Sequence, residues 1–323
     1  MSSFTLRGFI KAIRHEADGI ISLELRPAPG STAFPPFDAG AHIDLQLPNG
    51  LVRSYSLLNA PTERNRYLIG VLNDRNSRGG SRCVHEQLRV GMTLPISAPR
   101  NNFTLDETAP RSVLVAGGIG VTPILAMLER LSALGGPVDF IYCARSRNEA
   151  AFIERIEALA ERPSVRVTWH FDDEQGKPPA LDALLADRPA DTHFYCCGPA
   201  PMLDAFERAC EGLGYPHAHI ERFAAISPAV ASDAGAGYRV ELQRSQRTID
   251  VAAGTSLLDA LLDAGIAHDF SCREGVCGSC ETKVISGDIE HCDSILTQAE
   301  RDANKSMMVC VSRCRGGTLV LDL

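Results

Sequence analysis

The chain has no apolar run approaching the ~18–20 residues that span a bilayer, so a membrane-embedded role is not expected. It also lacks a basic balance. Its 323 residues carry a formal net charge of −8, which argues against nucleic acid or an anionic membrane surface as the main partner. The first residues, MSSFTLRGFIKAIRHEADG, contain no apolar segment long enough for a secretory signal, and a cytoplasmic, reducing compartment is the expectation. Aromatic residues are sparse at 6% with a single Trp, and there is no internal repeat. Low complexity is confined to AAISPAVASDAGAG at 224–237, small and polar enough to serve as a flexible linker.

Cysteine, by contrast, is plentiful. Eleven cysteines in a reducing compartment do not make a disulfide scaffold, and metal or redox chemistry is the better expectation where their spacing supports it. Cys272, Cys277, Cys280 and Cys310 give C-x4-C-x2-C and a fourth cysteine 30 residues later, the plant-type [2Fe–2S] spacing. Gly275 and Gly278 let this loop curl and bring backbone N–H groups towards the sulfurs. A structural zinc site also uses four thiolates but favours paired C-x2-C knuckles, and only one close pair is present. Cys83, Cys143, Cys196, Cys210, Cys292 and Cys314 show no ligand spacing and are expected to be buried thiols. Cys310 rather than Cys314 is taken as the last ligand because MMVCVSR is read as a strand beside the cluster loop.

Three textures follow one another along the chain. Residues 1–106 alternate short strands of five to eight residues with Pro and Gly, interrupted by one helix near 81–88, which suggests a small antiparallel barrel. Residues 107–225 alternate apolar strands with amphipathic helices, the pattern of a doubly wound parallel α/β sheet. After the linker, placed at 226–237, residues 238–323 read as a compact α+β module. The fold expected is therefore multi-domain.

Within the first segment, Arg53, Ser54, Tyr55 and Ser56 lie on a strand, and Ser77-Arg78-Gly79-Gly80-Ser81 precedes the helix. A Gly-rich loop feeding a helix N-terminus suits an anion, and Arg53 suits a phosphate. Each feature alone also fits a solvated charge and an ordinary N-cap. In the second segment Gly117-Gly118-Ile119-Gly120-Val121-Thr122-Pro123 joins a strand to a helix, where glycines let backbone crowd a pyrophosphate. Thr122 is read as a helix cap and Pro123 as suited to the first turn. This departs from G-x-G-x-x-G, and a tight structural turn is the competing reading. Cys197-Gly198-Pro199 ends another strand at the edge where such sheets gather ligands.

Taken together, R-S-Y-S at 53–56, S-R-G-G-S at 77–81 and G-G-I-G-V-T-P at 117–123 point to one family. Y-C-C-G-P at 195–199, H-I-E-R-F at 219–223 and the C-terminal cysteine loop continue the same pattern. The whole chain resembles the phthalate dioxygenase reductase family, which includes vanillate demethylase reductase subunits. That resemblance implies FMN, NADH and [2Fe–2S] domains, the last a β-grasp ferredoxin. The protein would be an NADH-dependent reductase passing single electrons to a Rieske-type terminal oxygenase. It places FMN on Arg53, Ser54, Tyr55, Ser56, Gly79, Gly80 and Ser81, with Gly70, Val71 and Leu72 lining the ring. Thr122 and Phe223 would also touch flavin, although Phe223 alone reads as core packing. NADH falls to Gly117, Gly118, Pro123, Cys197, Gly198, Pro199 and Met202.

Cys197, His219 and Glu221 are expected to position groups rather than act as acid or base. Arg145 and Arg147 after the second strand of this domain would suit a 2′-phosphate, but Asp172 and Asp173 ending the third, with the resemblance, favour NADH. The acidic residues Glu274, Glu281, Asp288, Glu290 and Asp293 are a candidate docking face for a basic partner, or a plain solvated face. A monomer suffices. The alternatives are an FAD-containing reductase of the same superfamily and a zinc-binding interaction module.

Overall fold

The computed structural model describes residues 4–224 and 237–323, which fall into two compact units, Phe4–Arg222 and Phe223–Leu323. The predicted linker at 226–237 lies, apart from Gly237, outside the described residues. Among the described residues no helix is long and apolar enough to cross a membrane.

The first unit begins with β1 (Leu6–Ala17), β2 (Ile20–Pro27), β3 (His42–Gln46), β4 (Val52–Ser56) and β5 (Tyr67–Leu72). Helix α1 (Gly80–Gln87) and β6 (Thr93–Ile96) follow. The strands form one antiparallel sheet in the order β4-β3-β6-β1-β2-β5. At twelve residues β1 exceeds the expected length. Irregularities at Ile10/Ala12 and His15/Ala17 let it bend and keep pairing with β2. The outer strands of the sheet also meet: Leu57 bridges Ile69, and the Leu58 N–H donates to the Leu68 carbonyl at 2.9 Å. Ile10, Leu23, Leu25, Ile43, Leu45, Tyr67 and Ile69 fill the core of this sheet.

The same unit continues as β7 (Ser112–Gly117), α2 (Val121–Leu134), β8 (Val138–Ala144), α3 (Ile153–Ala160), β9 (Val165–Phe171), α4 (Asp172–Gln175), α5 (Leu181–Leu185), β10 (His193–Cys197), α6 (Ala200–Leu213) and β11 (Ala218–Glu221). The five strands are parallel in the order β11-β10-β7-β8-β9. β7 and β8 are buried along their whole length because helices cover both faces. Leu114, Ala116, Phe140 and Tyr142 pack with α2 and α3, and Val113, Val115, Ile141 and Cys143 with α5 and α6. Each fully buried Val, Leu or Phe here contributes on the order of 1.5–3 kcal/mol. Asp172 and Asp173 do not end the third strand: β9 stops at Phe171 and both begin the single turn of α4.

The second unit holds β12 (Tyr238–Leu242), β13 (Arg247–Val251), α7 (Leu257–Asp263), β14 (Glu281–Ser286), β15 (Ile289–Glu290), α8 (Gln298–Ala303), β16 (Ser306–Met308), β17 (Arg313–Cys314) and β18 (Thr318–Leu321). Its main sheet runs β13-β12-β18-β14-β16, with β12 and β18 parallel and the other pairs antiparallel. Ser256 caps α7 by accepting from the Asp259 N–H. The stretch MMVCVSR is not one strand. β16 ends at Met308, and the N–H groups of Val311 and Ser312 return to the Met308 carbonyl, so Cys310 sits on a turn. A turn lets a cysteine leave the sheet plane and face a loop.

Candidate functional site

In the first unit the candidate residues gather in three places. Arg53 on β4 packs against Gly80 at the start of α1, where a Cβ would lie 2.5 Å from the Arg53 Nε. Gly79 just before it has φ +96°, a conformation that favours glycine. Ser77 Oγ accepts from the Gly79 and Arg82 N–H groups, and Ser81 Oγ from the Asp74 N–H, so this turn is held by its own hydroxyls. Ser54 beside Arg53 donates to Asp44 Oδ1 at 2.7 Å, and Arg100 closes the same carboxylate at 2.6 Å. Tyr55 is half-buried next to the core, and burial pushes its hydroxyl pKa upward. A cationic side chain against a glycine helix entry is an arrangement that accepts a phosphate.

The second place is the crossing of β5 and α2. A Cβ on Gly70 would lie 2.7 Å from Thr122 Cγ2 and 3.2 Å from the Phe152 ring. Thr122 does not cap its helix: it lies inside the first turn of α2, and its hydroxyl donates to the Ile119 carbonyl at 3.0 Å. Val71 on β5 is buried, its carbonyl held by His85 Nε2 at 3.0 Å, while Leu72 is partly exposed. Phe152 and Tyr142 were not singled out from the sequence. Phe152 sits at φ +63°, a strained conformation for a bulky residue. The Tyr142 hydroxyl donates to the Gly118 carbonyl at 3.3 Å and accepts from the Ala151 N–H at 3.0 Å. Both aromatic residues read as plain core until their partners are known.

The third place is the C-terminal edge of the parallel sheet. A Cβ on Gly117 would meet Met202 Sδ at 2.5 Å, Pro199 Cδ at 2.8 Å and Gly198 Cα at 3.1 Å. One on Gly120 would collide with the Cys197 carbonyl. Two loops, after β7 and after β10, therefore approach as closely as glycine permits, with Pro123 buried in the first turn of α2. Register pairs Cys197 with Glu221. Cys197 is fully buried, and burial first, then the Glu221 charge, raises its thiol. Burial also pushes Glu221 up to about 8, against a hydrogen bond from Ser56. Its Oε2 is buried without a partner among the described residues. One step earlier His219 stacks on Tyr195 with ring centroids 4.7 Å apart. Phe223 opens the second unit and is 42% exposed.

Near the ends of β8 and β9, the Arg147 guanidinium lies 5.4 Å from the Phe171 ring centroid and 3.7 Å from Glu157.

In the second unit the four cysteines form two pairs. A hydrogen bond joins Cys272 and Cys277, raising the first thiol and lowering the second. Another joins Cys280 and Cys310, raising Cys310. Backbone N–H groups point at the sulfurs: Cys272 N–H to Cys277 at 3.5 Å and Glu274 N–H to Cys272 at 3.3 Å. Two thiols for each of two irons is the donor set a [2Fe–2S] cluster requires.

Other expectations also change. Cys292 is exposed, while Cys83, Cys143, Cys196, Cys210 and Cys314 are buried. The acidic face is largely spoken for: Glu290 pairs with Arg313 at 2.7 Å, Asp288 faces Arg315 at 3.9 Å, and Asp293 is buried. Helix α8, missed in the sequence, was legible in Thr297-Gln298-Ala299-Glu300, a capping box that forms in full.

Comparison with known proteins identifies the family. The family described as "2Fe-2S iron-sulfur cluster binding domain" matches residues 240–315, and "Dimethylamine monooxygenase subunit DmmA-like, N-terminal domain" matches residues 96–220. The phenoxybenzoate dioxygenase subunit beta of Ectopseudomonas oleovorans is 47% identical over 100% of this chain and 98% of its own. The solved phthalate dioxygenase reductase, a modular structure for electron transfer from pyridine nucleotides to [2Fe–2S], is 35% identical with a TM-score of 0.71, covering 98% of both chains. The chain belongs to the phthalate dioxygenase reductase family. It is thus an oxidoreductase of the kind that serves oxygenase systems. An intact type IV self-sufficient cytochrome P450 monooxygenase is similar too, with a TM-score of 0.88 and 38% identity; this chain matches over 98% of its own length and spans 41% of that one.

Proposed function

We propose that the chain oxidises NADH at a bound FMN and passes single electrons through a [2Fe–2S] cluster to a Rieske-type oxygenase. The observation that carries this reading is the meeting of Ser56 on β4 with Glu221 beside Cys197, which joins the candidate flavin strand to the nucleotide edge. In this reading residues 1–106 are the FMN domain, its sheet closing as a barrel through Leu57 and Ile69, and residues 107–225 are the NADH domain. Residues 226–237 link them to a β-grasp ferredoxin domain at 238–323. Cytoplasmic location and a monomeric state complete it.

A flavin accepts a hydride and releases electrons singly, and the cluster carries one at a time, so the cofactors supply the reaction and the protein the positions. Arg53 and the Gly79–Ser81 turn would hold the FMN phosphate, with Ser54, Tyr55, Ser56 and the Gly70–Leu72 stretch along the ring. Thr122 would complete its surroundings. Gly117, Gly118, Pro123, Gly198, Pro199 and Met202 would line NADH. The buried carboxyl group of Glu221, kept protonated by burial, suits a carboxamide oxygen, and Cys197 fills space beside it. The preference for NADH over NADPH rests on the family resemblance.

An anaerobic NADH titration tests the whole reading. Flavin and iron–sulfur absorbance should bleach together with about three electrons taken up per chain. A fully loaded preparation without these bands would reject it. Acid release and chromatography of the flavin decides between FMN and FAD.

A further inference from the structure

Asp293 stands out in the second unit as a carboxyl group with no exposed surface in a loop otherwise rich in solvent-facing acids. Its Oδ2 accepts the N–H groups of Leu296 at 2.8 Å and Ile295 at 3.1 Å, which closes the loop before α8. Its Oδ1 accepts from Ser312 Oγ at 3.4 Å, and the same hydroxyl accepts the Cys292 N–H at 3.1 Å. Arg301 of α8 donates to the Asp293 carbonyl at 2.6 Å and to the Leu296 carbonyl at 3.0 Å. Such a group is costly to bury, and these partners together satisfy it.

The elements joined this way carry the cluster ligands. Ser312 closes the Met308–Ser312 turn that holds Cys310. On the other side Gly275, between Cys272 and Cys277, lies directly on Asp293: a Cβ there would sit 2.9 Å from the Asp293 Cα and 2.6 Å from Val311 Cγ2. The Gly275 carbonyl accepts the Ser294 N–H at 2.9 Å. With φ +69° this peptide has the orientation that glycine allows.

We infer that Asp293 is a positioning residue of the iron–sulfur site, fixing the Gly275 peptide of the ligand loop and the Cys310 turn against each other. Hydrogen bonds to cluster sulfurs set reduction potential, and outer partners hold the ligands in register. A carboxyl that served only to stabilise the loop would lower the melting temperature of its variants without moving the potential or spectrum of the bound cluster.

The experiment uses the full-length holoprotein. Asp293→Ala is expected to bind the cluster with a displaced midpoint potential, an altered electron paramagnetic resonance spectrum when reduced, and iron loss to a chelator about tenfold faster. Asp293→Asn retains an acceptor for the Ile295 and Leu296 N–H groups and should stay close to wild type. An Asp293→Ala protein with wild-type potential, spectrum and iron loss overturns the inference. So does an Asp293→Asn protein as impaired as Asp293→Ala, since charge rather than the hydrogen bonds would then be responsible. Should Asp293→Ala hold no cluster, Ser312→Ala decides: a changed spectrum with faster iron loss supports the inference, and wild-type behaviour overturns it. The inference rests on the [2Fe–2S] reading, whose own failure would show separately as a wild-type protein without the cluster spectrum.

Discussion

The hydroxyl of Ser56, at the end of β4, donates to the carboxyl group of Glu221, at the end of β11. This one contact joins an antiparallel strand to a parallel one and leaves a carboxylic acid with its pKa pushed from 4.5 to about 8, chiefly by burial. Between those values the folded chain keeps a proton that the unfolded chain has lost. The stabilising contribution is therefore complete below pH 4.5 and disappears as pH rises through about 8. Glu221→Gln should melt with wild type at pH 5 and above it at pH 9, the difference growing to roughly 2–4 kcal/mol. Thermal melts at the two pH values check this, and a gap independent of pH would refute it.

Much of this arrangement was legible in the sequence, for identifiable reasons. β7 and β8 are buried on both faces, so their apolar runs speak for a parallel sheet without tertiary information. The cysteine loop is legible because ligand spacing is local. What stayed hidden depends on contacts distant in sequence. Asp293 reads as one more surface acid until Ser312 and Gly275 are seen to fold over it. Tyr142 is an ordinary strand aromatic until its hydroxyl meets Gly118, 24 positions away. The strand read through Cys310 failed because the N–H groups of Val311 and Ser312 turn back onto the Met308 carbonyl, which the β-branched residues around it do not announce.

Gly120 is the tightest point between the loops after β7 and β10. The obstacle to a side chain is the Cys197 backbone carbonyl, which cannot rotate aside as a side chain could. Gly120→Ala should destabilise the unit by about 1–3 kcal/mol and raise the KM for NADH while flavin content stays close to wild type. Denaturant melts and steady-state kinetics measure the two effects. A variant with unchanged stability would mean the loops separate more freely than their packing implies.

Tyr142 offers a gentler test of the same edge. Tyr142→Phe keeps the ring in the core but removes the group that bridges the Gly118 carbonyl and the Ala151 N–H. The expected cost is about 1–2 kcal/mol of stability, with a higher KM for NADH and little change in kcat, because the hydroxyl holds the turn and touches no reacting atom. A loss confined to kcat would contradict that role.

The cysteines allow a test with internal controls. Serine at Cys272, Cys277, Cys280 or Cys310 removes a sulfur from one of the two thiol pairs and should abolish or distort the iron–sulfur absorbance and the reduced-state paramagnetic signal. Flavin content and NADH-to-ferricyanide activity, which depend on the other unit, should persist. Cys292→Ser and Cys314→Ser should retain the cluster, since Cys292 is exposed with its sulfur turned to the Glu290 carbonyl and the Cys314 thiol is turned to the Gly316 carbonyl. Iron and flavin analysis on all six proteins separates the outcomes. A Cys314→Ser protein that lost its cluster while Cys310→Ser kept one would reassign the fourth ligand, and with it the turn after β16 that presents Cys310.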